Sequence, residues 1–277
     1  MPGFAARLCR VIAGAEEVPP KGIDVETPHI ARIYDYWLGG KDNFASDRAA
    51  AEQVMLATPT IKPGVTANRA FLSRAVRTMV GHGVTQFLDI GTGIPTADNT
   101  HMVAQAADPE CRVVYADNDP IVLAHARALL SGVTAPTAFV DADLRDTGRI
   151  LEEAARLLDF ERPVGLLLIA VLHCIPDDDD PRGIVRTLLD ALAPGSFLAV
   201  THPGIDQMPE RMAAAEDALT KAMGFRVTFR TRDGVGAFLS GLDLLDPGVV
   251  PVQDWRPDAD AAPSDTTGMW GGVARKR

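Results

Sequence analysis

From about residue 84, the chain alternates short apolar runs with longer stretches in which apolar residues recur at helical spacing. Unbroken runs of Val, Ile and Leu are typical of strands buried on both faces. They predict strands at residues 84–90, 112–116, 137–140, 164–171 and 197–201. The stretches between and after them predict helices at residues 96–107, 120–130, 147–158, 181–192 and 209–223. This alternation predicts a doubly wound α/β fold with a mostly parallel sheet.

Two regions depart from the alternation. Residues 25–82 show no strand pattern and predict about three helices, interrupted at Gly39 and Gly40 and again at residues 59–64. Residues 225–277 contain short extended pieces at 225–230, 249–252 and 268–274, which suit a sheet edge that closes the fold. No linker rich in Pro or Ser divides the chain. We therefore expect an N-terminal extension (1–24), a helical cap (25–82) and an α/β domain (83–277) that forms one structural unit with the cap.

Charge and composition limit the kinds of partner that the protein is expected to bind. The 277 residues include 27 basic and 37 acidic ones, a net charge of −10, with no basic block. Nucleic acid is not an expected partner, because its binding depends on phosphate neutralisation. No apolar run reaches the roughly 18 residues of a membrane span, and residues 1–15 lack the apolar block of a secretory signal. We expect a cytoplasmic protein that does not bind membranes; a homo-oligomer is compatible with the sequence.

The cysteines and the acidic run do not predict a metal site. Cys9, Cys111 and Cys174 are isolated from one another, so zinc ribbons and cysteine-ligated clusters have no support. The four acidic residues at 177–180 precede Pro181 and are interpreted as the cap of the next helix. No metal is expected.

The most informative segment is a glycine loop, FLDIGTGIPT at residues 87–96. An apolar strand leads into Gly91-x-Gly93 and then into a helix, whose first N–H groups are free to bind a ligand. Asp117 ends the next predicted strand, where a carboxylate can accept both ribose hydroxyls of an adenosine. Asp143 follows the third strand. All of these would meet at the carboxyl edge of the sheet, where doubly wound folds bind ligands.

The loop favours one adenosine ligand over another. A dinucleotide fingerprint needs a third glycine, and Thr96 stands at that position. Asp89 is a poor neighbour for a pyrophosphate and a good one for an ammonium or sulfonium group. Three carboxylates suit a cationic, zwitterionic nucleoside better than a dinucleotide. The residues therefore favour S-adenosylmethionine over NAD.

These residues also carry a resemblance. Asp89-x-Gly91-x-Gly93, followed by Asp117 and Asp143, resembles motifs I, II and III of class I S-adenosylmethionine-dependent methyltransferases over about residues 84–202. Together with PHIARIYDYWLGGKDNF at residues 28–44, the loop is similar to a bacterial S-adenosyl methyltransferase family of unknown substrate. Pro95 stands where the general class often has a third glycine. The resemblance implies a Rossmann-like, seven-stranded sheet with an antiparallel strand near one edge.

The resemblance also implies roles for the cofactor-binding residues. The methionine end would contact Asp89 and the glycine loop, the ribose would contact the acid after the second strand, and the adenine would contact the turn after the third. Carried over by motif, the cofactor-binding residues are Asp89, Gly91, Thr92, Gly93, Asp117, Asn118, Asp143 and Leu144. The alternative for Asp143 is a purely local role in capping or in the turn.

Methyl transfer requires an aligned acceptor nucleophile and a group that removes its proton. The loop after the fourth predicted strand contains His173, which we interpret as a general base. The alternative is a histidine that hydrogen-bonds the cap or only shapes the pocket. Cys174 is interpreted as a small buried hydrophobic residue.

The N-terminal motif is a second candidate for chemistry. Our hypothesis is that its glycine turn folds over the cofactor as a lid and contributes to acceptor recognition. The residues assigned to this substrate site are Tyr34, Trp37, Lys41, Asp42 and Asn43. The alternative is an amphipathic core helix, since residues 30, 33, 34 and 37 follow helical spacing.

The expected function is S-adenosylmethionine-dependent methyl transfer to a small-molecule acceptor. Two alternatives stay open at this point. One is a non-catalytic protein that binds an S-adenosyl ligand, because methyltransferases of this class share no universal catalytic side chain. The other is an NAD-dependent oxidoreductase, against which Thr96 and Asp89 argue.

Overall fold

A computed structural model of the protein describes residues 24–96, 98–130, 136–258 and 267–277. The predicted N-terminal extension, apart from its last residue, lies outside the described residues, as does Cys9. The helices are α1 Ile30–Trp37, α2 Ala45–Ala57, α3 Ile61–Gly81, α4 Thr100–Ala107, α5 Pro120–Leu130, α6 Thr147–Ala154, α7 Pro181–Asp190, α8 Pro209–Met223 and α9 Arg232–Gly236. The strands are β1 Gln86–Ile90, β2 Arg112–Asp117, β3 Thr137–Asp141, β4 Gly165–Ile169, β5 Phe197–Pro203, β6 Asp243–Leu244, β7 Val250–Pro251 and β8 Met269–Arg275.

The strands form one sheet in the order β3-β2-β1-β4-β5-β8-β6, with β7 also paired to β8. The first five strands are parallel, and β8 is antiparallel to β5 along its whole length. This confirms the predicted doubly wound, mostly parallel α/β fold. The described residues contain eight strands where seven were expected. The additional one arises because β6 and β7, two residues each, share the free edge of β8.

Helices α5 and α8 agree with the prediction at both ends, whereas α6 ends four residues and α7 two residues before the predicted limits. Helix α4 begins four residues later than predicted, because the N–H of Thr96 donates to Asn99 Oδ1 (3.0 Å) and Asn99 itself is extended. Residues 225–230, expected to be an extended piece that suits the sheet edge, form no strand of the sheet. That segment makes a single parallel bridge, between Arg230 and Gly204.

Apolar side chains cover both faces of the sheet. Helices α6 and α7 pack on one face, and α3 and α4 pack on the other, where Phe71, Ala75 and Met79 of α3 contact the strands. A third cluster joins α1 and α2 to α8, with Ile33 and Leu219 among its buried members. Helices α1 and α2 therefore pack on α8 and not on the sheet, whereas α3 belongs to the helical layer that covers one face of the sheet. The division of the chain at residues 82 and 83 stays a prediction.

The C-terminal segment is attached to α3 by polar and aromatic contacts. Arg74 donates from Nε to the carbonyl of Trp255 (2.8 Å) and from Nη2 to the carbonyl of Val252 (2.7 Å). The Trp255 ring is fully buried and meets Phe71 edge to face, with ring centroids 5.2 Å apart. These contacts connect the segment before β8 to the helix that covers the sheet.

Within the part of the chain that the structure describes, no helix has both the length and the apolar character needed to cross a bilayer.

Replacing Trp255 with Ala should destabilise the fold, because a buried aromatic ring is replaced by a cavity. The expected loss is about 3–5 kcal/mol, and the thermal midpoint should fall by roughly 10 °C. Thermal unfolding followed by circular dichroism measures this. The control is Leu56→Ala on α2, whose side chain is 77% exposed and should change the midpoint little. Equal midpoints for the two variants would contradict the proposed anchoring role of Trp255.

Candidate active site

A cavity of about 340 Å³ opens at the carboxyl ends of the parallel strands. The loops that follow β1, β2, β3 and β4 form its floor, and α1, α3 and the end of α8 form the remaining wall. Doubly wound sheets bind ligands at this edge because the loops after neighbouring strands diverge there. The cavity lies at the edge of the sheet that the sequence indicated, and ligand binding there stays a prediction.

The glycine loop brings the ends of β1 and β4 together. Gly91 has φ +73°, and a Cβ at this position would overlap the side chain of Val171 in the loop after β4. Gly93 also has positive φ (+68°), and its N–H donates to Asp117 Oδ2 (2.8 Å). Only a residue without a Cβ fits at Gly91, so this glycine determines how closely the two loops approach.

Asp117 ends β2 and lies beneath the glycine loop. Its second oxygen accepts from the N–H of Asp119 (2.9 Å). Burial raises the pKa of Asp117, although the two N–H donors oppose that shift. A carboxylate accepts up to about four hydrogen bonds, so capacity remains for ligand hydroxyls.

The loops after β2, β3 and β4 are joined by a polar chain. Asn118 donates to Asp143 Oδ2 (3.0 Å), and Arg145 lies 3.2 Å from Asp143 Oδ1. Arg145 also donates from Nη2 to Asp179 Oδ2 (2.7 Å) and to the carbonyl of Cys174 (3.2 Å). The acidic turn after β3 is therefore held in place beside the cavity.

Asp89 contributes a buried carboxyl group at the end of β1. It accepts from the hydroxyl of Thr100 (2.6 Å). Burial raises the pKa of Asp89 to about 6, despite the Thr100 hydroxyl and the nearby charge of Arg69. Arg69 on α3 also lines the cavity, and its buried Nε has no hydrogen-bond partner among the described residues.

All the residues predicted to bind a cofactor line this single cavity. They are Asp89, Gly91, Thr92, Gly93, Asp117, Asn118, Asp143 and Leu144. Their individual roles stay predictions. Sequence reasoning missed other lining residues because their positions depend on packing between distant segments: Asp35, Asn68, Arg69, Arg145, Met223 and Phe225. Of these six residues, only Asp35 could have been found from the sequence, because it lies in the N-terminal motif at residues 28–44.

Ionic contacts attach the cap to the end of β2. His29 Nδ1 lies 2.8 Å from Asp119 Oδ2, and Arg32 Nε lies 3.3 Å from the same oxygen. Asp119 is fully buried; burial alone would raise its pKa, but His29 and Arg32 hold it below its usual value. These contacts fix the first turn of α1 above the cavity.

The structure brings only part of the predicted lid to the cavity. Tyr34 lines it, with its hydroxyl donating to the carbonyl of Val65 (3.2 Å) and accepting from Asn68 (2.9 Å). Trp37 does not: it is buried between the cap helices and donates to the carbonyl of Ala51 (3.2 Å). The amphipathic-helix alternative thus describes Trp37 correctly.

Lys41, Asp42 and Asn43 are not among the lining residues, so the described geometry does not support a lid. Asn43 is buried and directed back to the cap, where its Nδ2 donates to Asp35 Oδ2 (2.8 Å). The backbone N–H of Asp42 donates to the same oxygen (3.0 Å).

His173 also lies away from the cavity, which the proposed general base would need to reach. It is buried, with its ring 6.1 Å from that of His202 and 6.2 Å from that of Phe229. Burial lowers the pKa of His173 to about 4, with a further contribution from Arg230. The neutral ring is therefore part of the packing, and the geometry supports the alternative of a histidine that shapes the site.

Arg230 holds the loop that carries His173. It donates to the carbonyls of Leu172 (2.9 Å) and Ile175 (2.8 Å) and to Asp177 Oδ1 (2.7 Å). In the same acidic run, Asp180 caps α7 by accepting from the N–H of Gly183 (2.9 Å), the predicted capping role. Among the described residues, no group of His, Cys, Asp or Glu could hold a metal ion.

The sheet order, the glycine loop and the acids after β1, β2 and β3 define a Rossmann-like class I methyltransferase. The profile of a family described as S-adenosyl methyltransferase matches residues 16–277. The chain therefore belongs to this S-adenosyl methyltransferase family. It is an enzyme that uses S-adenosylmethionine to transfer a methyl group.

Solved structures agree with this membership. A DUF574 family protein from Streptomyces avermitilis MA-4680 is 41% identical over 92% of this chain and 99% of its own, with a TM-score of 0.87. A protein from Thermobifida fusca YX, designated a candidate methyltransferase, is 39% identical over 95% of this chain and 100% of its own, with a TM-score of 0.88. No curated protein matches the chain significantly.

The raised pKa of Asp89 predicts a pH dependence of stability. The folded protein keeps this proton up to about pH 6, whereas an unfolded chain releases it near pH 4. The free energy of unfolding that this group contributes is therefore fully present below pH 4 and is lost as the pH rises through 6. Asp89→Asn keeps an acceptor for Thr100 and cannot ionise. Between pH 4 and 7 it should gain stability relative to the native chain by on the order of 3 kcal/mol.

Urea unfolding at several pH values measures the difference between the two proteins. The control is Asp217→Asn on α8, whose exposed carboxylate pairs with Lys221. A difference between Asp89→Asn and the native chain that does not change with pH would contradict the burial of an ionisable group at this position.

Proposed function

We propose that the methyl acceptor is a small molecule bound between the cap helices and the carboxyl edge of the sheet. The observation that carries this proposal is that one cavity joins the acidic ends of β1, β2 and β3 to a wall of mixed polar and apolar side chains from α1, α3 and the end of α8. A volume of about 340 Å³ suits a nucleoside cofactor with a small partner. The cap covers the edge that a macromolecular acceptor would have to approach.

The residues present fit S-adenosylmethionine at its nucleoside end. Asp117 keeps acceptor capacity for the ribose hydroxyls beside the glycine loop. Asp143 accepts four hydrogen bonds from Asn118 and Arg145, the longest of 3.4 Å, and its partly exposed carboxylate would exchange one of them for the exocyclic amine of adenine. Leu144 supplies an apolar surface for the ring. We infer that these residues bind the nucleoside.

The methionine end requires an acceptor for an ammonium group and a donor for a carboxylate. Asp89 is the acidic group at that end of the cavity. The buried Nε of Arg69, which has no partner among the described residues, supplies an unused donor. A guanidinium group suits a carboxylate because its donors are planar and permanently charged. We assign Arg69 to the methionine carboxylate, a role that no sequence motif indicated.

The bound cofactor supplies a methyl group on a positively charged sulfur. The protein contributes alignment and electrostatics, which account for much of the rate in such displacements. Carboxylates around the cavity favour a cation there, and Ile169, Val171 and Met223 provide apolar surface that excludes water from the reacting atoms.

We also propose that the enzyme works in the reducing cytoplasm. Cys111 and Cys174 are free thiols in the structure. Burial raises the pKa of Cys111 to about 11 and that of Cys174 to about 12, so both thiols stay protonated.

The nucleoside assignment predicts that Asp117→Asn weakens binding of S-adenosylhomocysteine at least tenfold. The substitution replaces one charged acceptor with an amide whose N–H₂ cannot accept from the ribose. Isothermal titration calorimetry measures the dissociation constant. Asp217→Asn is the matched control and should bind within twofold of the native chain, and NAD should not bind. Unchanged affinity in Asp117→Asn, or binding of NAD as tight as that of S-adenosylhomocysteine, would overturn the assignment.

The acceptor class is tested separately with S-adenosylmethionine labelled on its methyl group. The enzyme is incubated with a bacterial extract separated into small-molecule, protein and RNA fractions. Label should enter the small-molecule fraction alone. Label in the protein or RNA fraction would refute a small-molecule acceptor.

A further inference from the structure

Hydrogen bonds from a neighbouring turn orient one carboxylate on the α1 side of the cavity. Asp35 on α1 lines the cavity and is 4% exposed. Its Oδ2 accepts two hydrogen bonds, from Asn43 Nδ2 (2.8 Å) and from the N–H of Asp42 (3.0 Å). Its Oδ1 accepts none from the described part of the chain. The carboxylate therefore has one oxygen with two hydrogen bonds, while the other oxygen lies close to Gly40 and accepts none from the described residues.

The turn formed by residues 40–43 produces this orientation. The N–H of Gly40 donates to the carbonyl of Asp35 (2.8 Å), and a Cβ at Gly40 would overlap the Asp35 carboxyl group. Asn43 also donates to the carbonyl of Gly40 (3.1 Å). We call residues 40–43 the carboxylate clamp. It explains why a glycine, an acidic residue and an asparagine follow α1 without themselves reaching the cavity.

A second unused acceptor lies on the same wall. Asn68 on α3 lines the cavity and is 1% exposed. Its Nδ2 donates to the hydroxyl oxygen of Tyr34. Because the Tyr34 hydroxyl already donates its proton to the carbonyl of Val65, it can only accept from Asn68. Tyr34 therefore fixes the orientation of the Asn68 amide. Asn68 Oδ1 is buried and has no partner among the described residues. A buried acceptor left without a donor costs free energy comparable to a lost hydrogen bond, so a ligand donor is the expected partner.

Apart from Arg69 Nε, which is assigned to the methionine carboxylate, the two unused polar atoms of this wall are acceptors, and one belongs to a carboxylate. A ligand that fits them must bring N–H or O–H donors and gains from a positive charge. An ammonium group has three donors and one charge, whereas an alcohol has one donor and a carboxylate has none. Leu38, Met223 and Phe225 add apolar surface for the remainder of the molecule.

Resting on the proposed function, we propose that the methyl acceptor is a small amine with an apolar body, bound through its nitrogen by Asp35 and Asn68. The amine enters as an ammonium ion and gives one proton to the Asp35 carboxylate. The nitrogen lone pair then forms a bond to the methyl carbon, and the carbon–sulfur bond breaks with its electron pair left on sulfur. The products are the methylated ammonium ion and S-adenosylhomocysteine, and the Asp35 proton is released to solvent.

The proposal is tested by calorimetry on the enzyme saturated with S-adenosylhomocysteine. The probes are 2-phenylethylamine and hexylamine, each compared with the alcohol and the carboxylic acid of the corresponding skeleton. The native enzyme should bind the amines at least tenfold more tightly than the other compounds. Equal or tighter binding of the alcohols or acids, or no amine binding, would overturn the amine assignment. Failure of S-adenosylhomocysteine itself to bind would instead overturn the proposed function.

Two variants locate the amine. In Asp35→Asn, the clamp donors should retain the amide oxygen, so the amide N–H₂ replaces Oδ1, removes the negative charge and repels an ammonium group. Gly40→Ala displaces the Asp35 carboxylate without changing its charge. Both should weaken amine binding at least tenfold and leave the affinity for S-adenosylhomocysteine within twofold.

Gly39→Ala is the matched control, because Gly39 has φ +82° and no atom near its Cβ position. It carries backbone strain of about 1 kcal/mol but leaves Asp35 in place, so its amine affinity should stay within twofold of the native value. Native amine affinity in both Asp35→Asn and Gly40→Ala, or a loss in Gly39→Ala equal to that in Gly40→Ala, would refute the role of the clamp. Thermal unfolding of each variant separates a binding loss from a folding loss.

Discussion

The close approach of two loops at Gly91 is the constraint on which the site depends. Because no Cβ separates them, the loop after β1 packs against Val171 in the loop after β4. The positive φ of Gly91 then directs the chain to Gly93, whose N–H binds the carboxylate at the end of β2. A side chain at this point would overlap Val171 and push the loops after β1 and β4 apart. The cavity floor is thus one connected surface.

The strand ends that form this floor also determine the charge of the cavity. Strand ends bring Asp89 and Asp117 into a buried space, where desolvation raises both of their pKa values. Such a site favours a cationic ligand, because a positive charge offsets the cost of burying carboxylates. A sulfonium nucleoside meets this condition, and an ammonium acceptor extends the same logic to Asp35 on the cap.

The cap and the sheet depend on each other. Asp119, just past the end of β2, binds His29 and Arg32 of the cap and fixes α1 across the cavity. With α1 in place, Asp35 reaches the cavity, while Trp37 on the same helix faces inward between the helices. One amphipathic helix therefore serves both the core and the site. The amphipathic-helix interpretation describes Trp37, whereas a role of Tyr34 in acceptor recognition stays a prediction.

The sequence by itself determined the doubly wound sheet, the limits of α5 and α8, and the cavity-lining positions of the glycine loop, Asp117 and Asp143. These follow from apolar periodicity and from short motifs next to strand ends, which are local properties of the chain. Only the tertiary structure decided that His173 is buried beside His202 and that Asp35 reaches the cavity. The direction of these side chains is set by contacts with residues distant in sequence or across a turn, and no local pattern encodes such contacts.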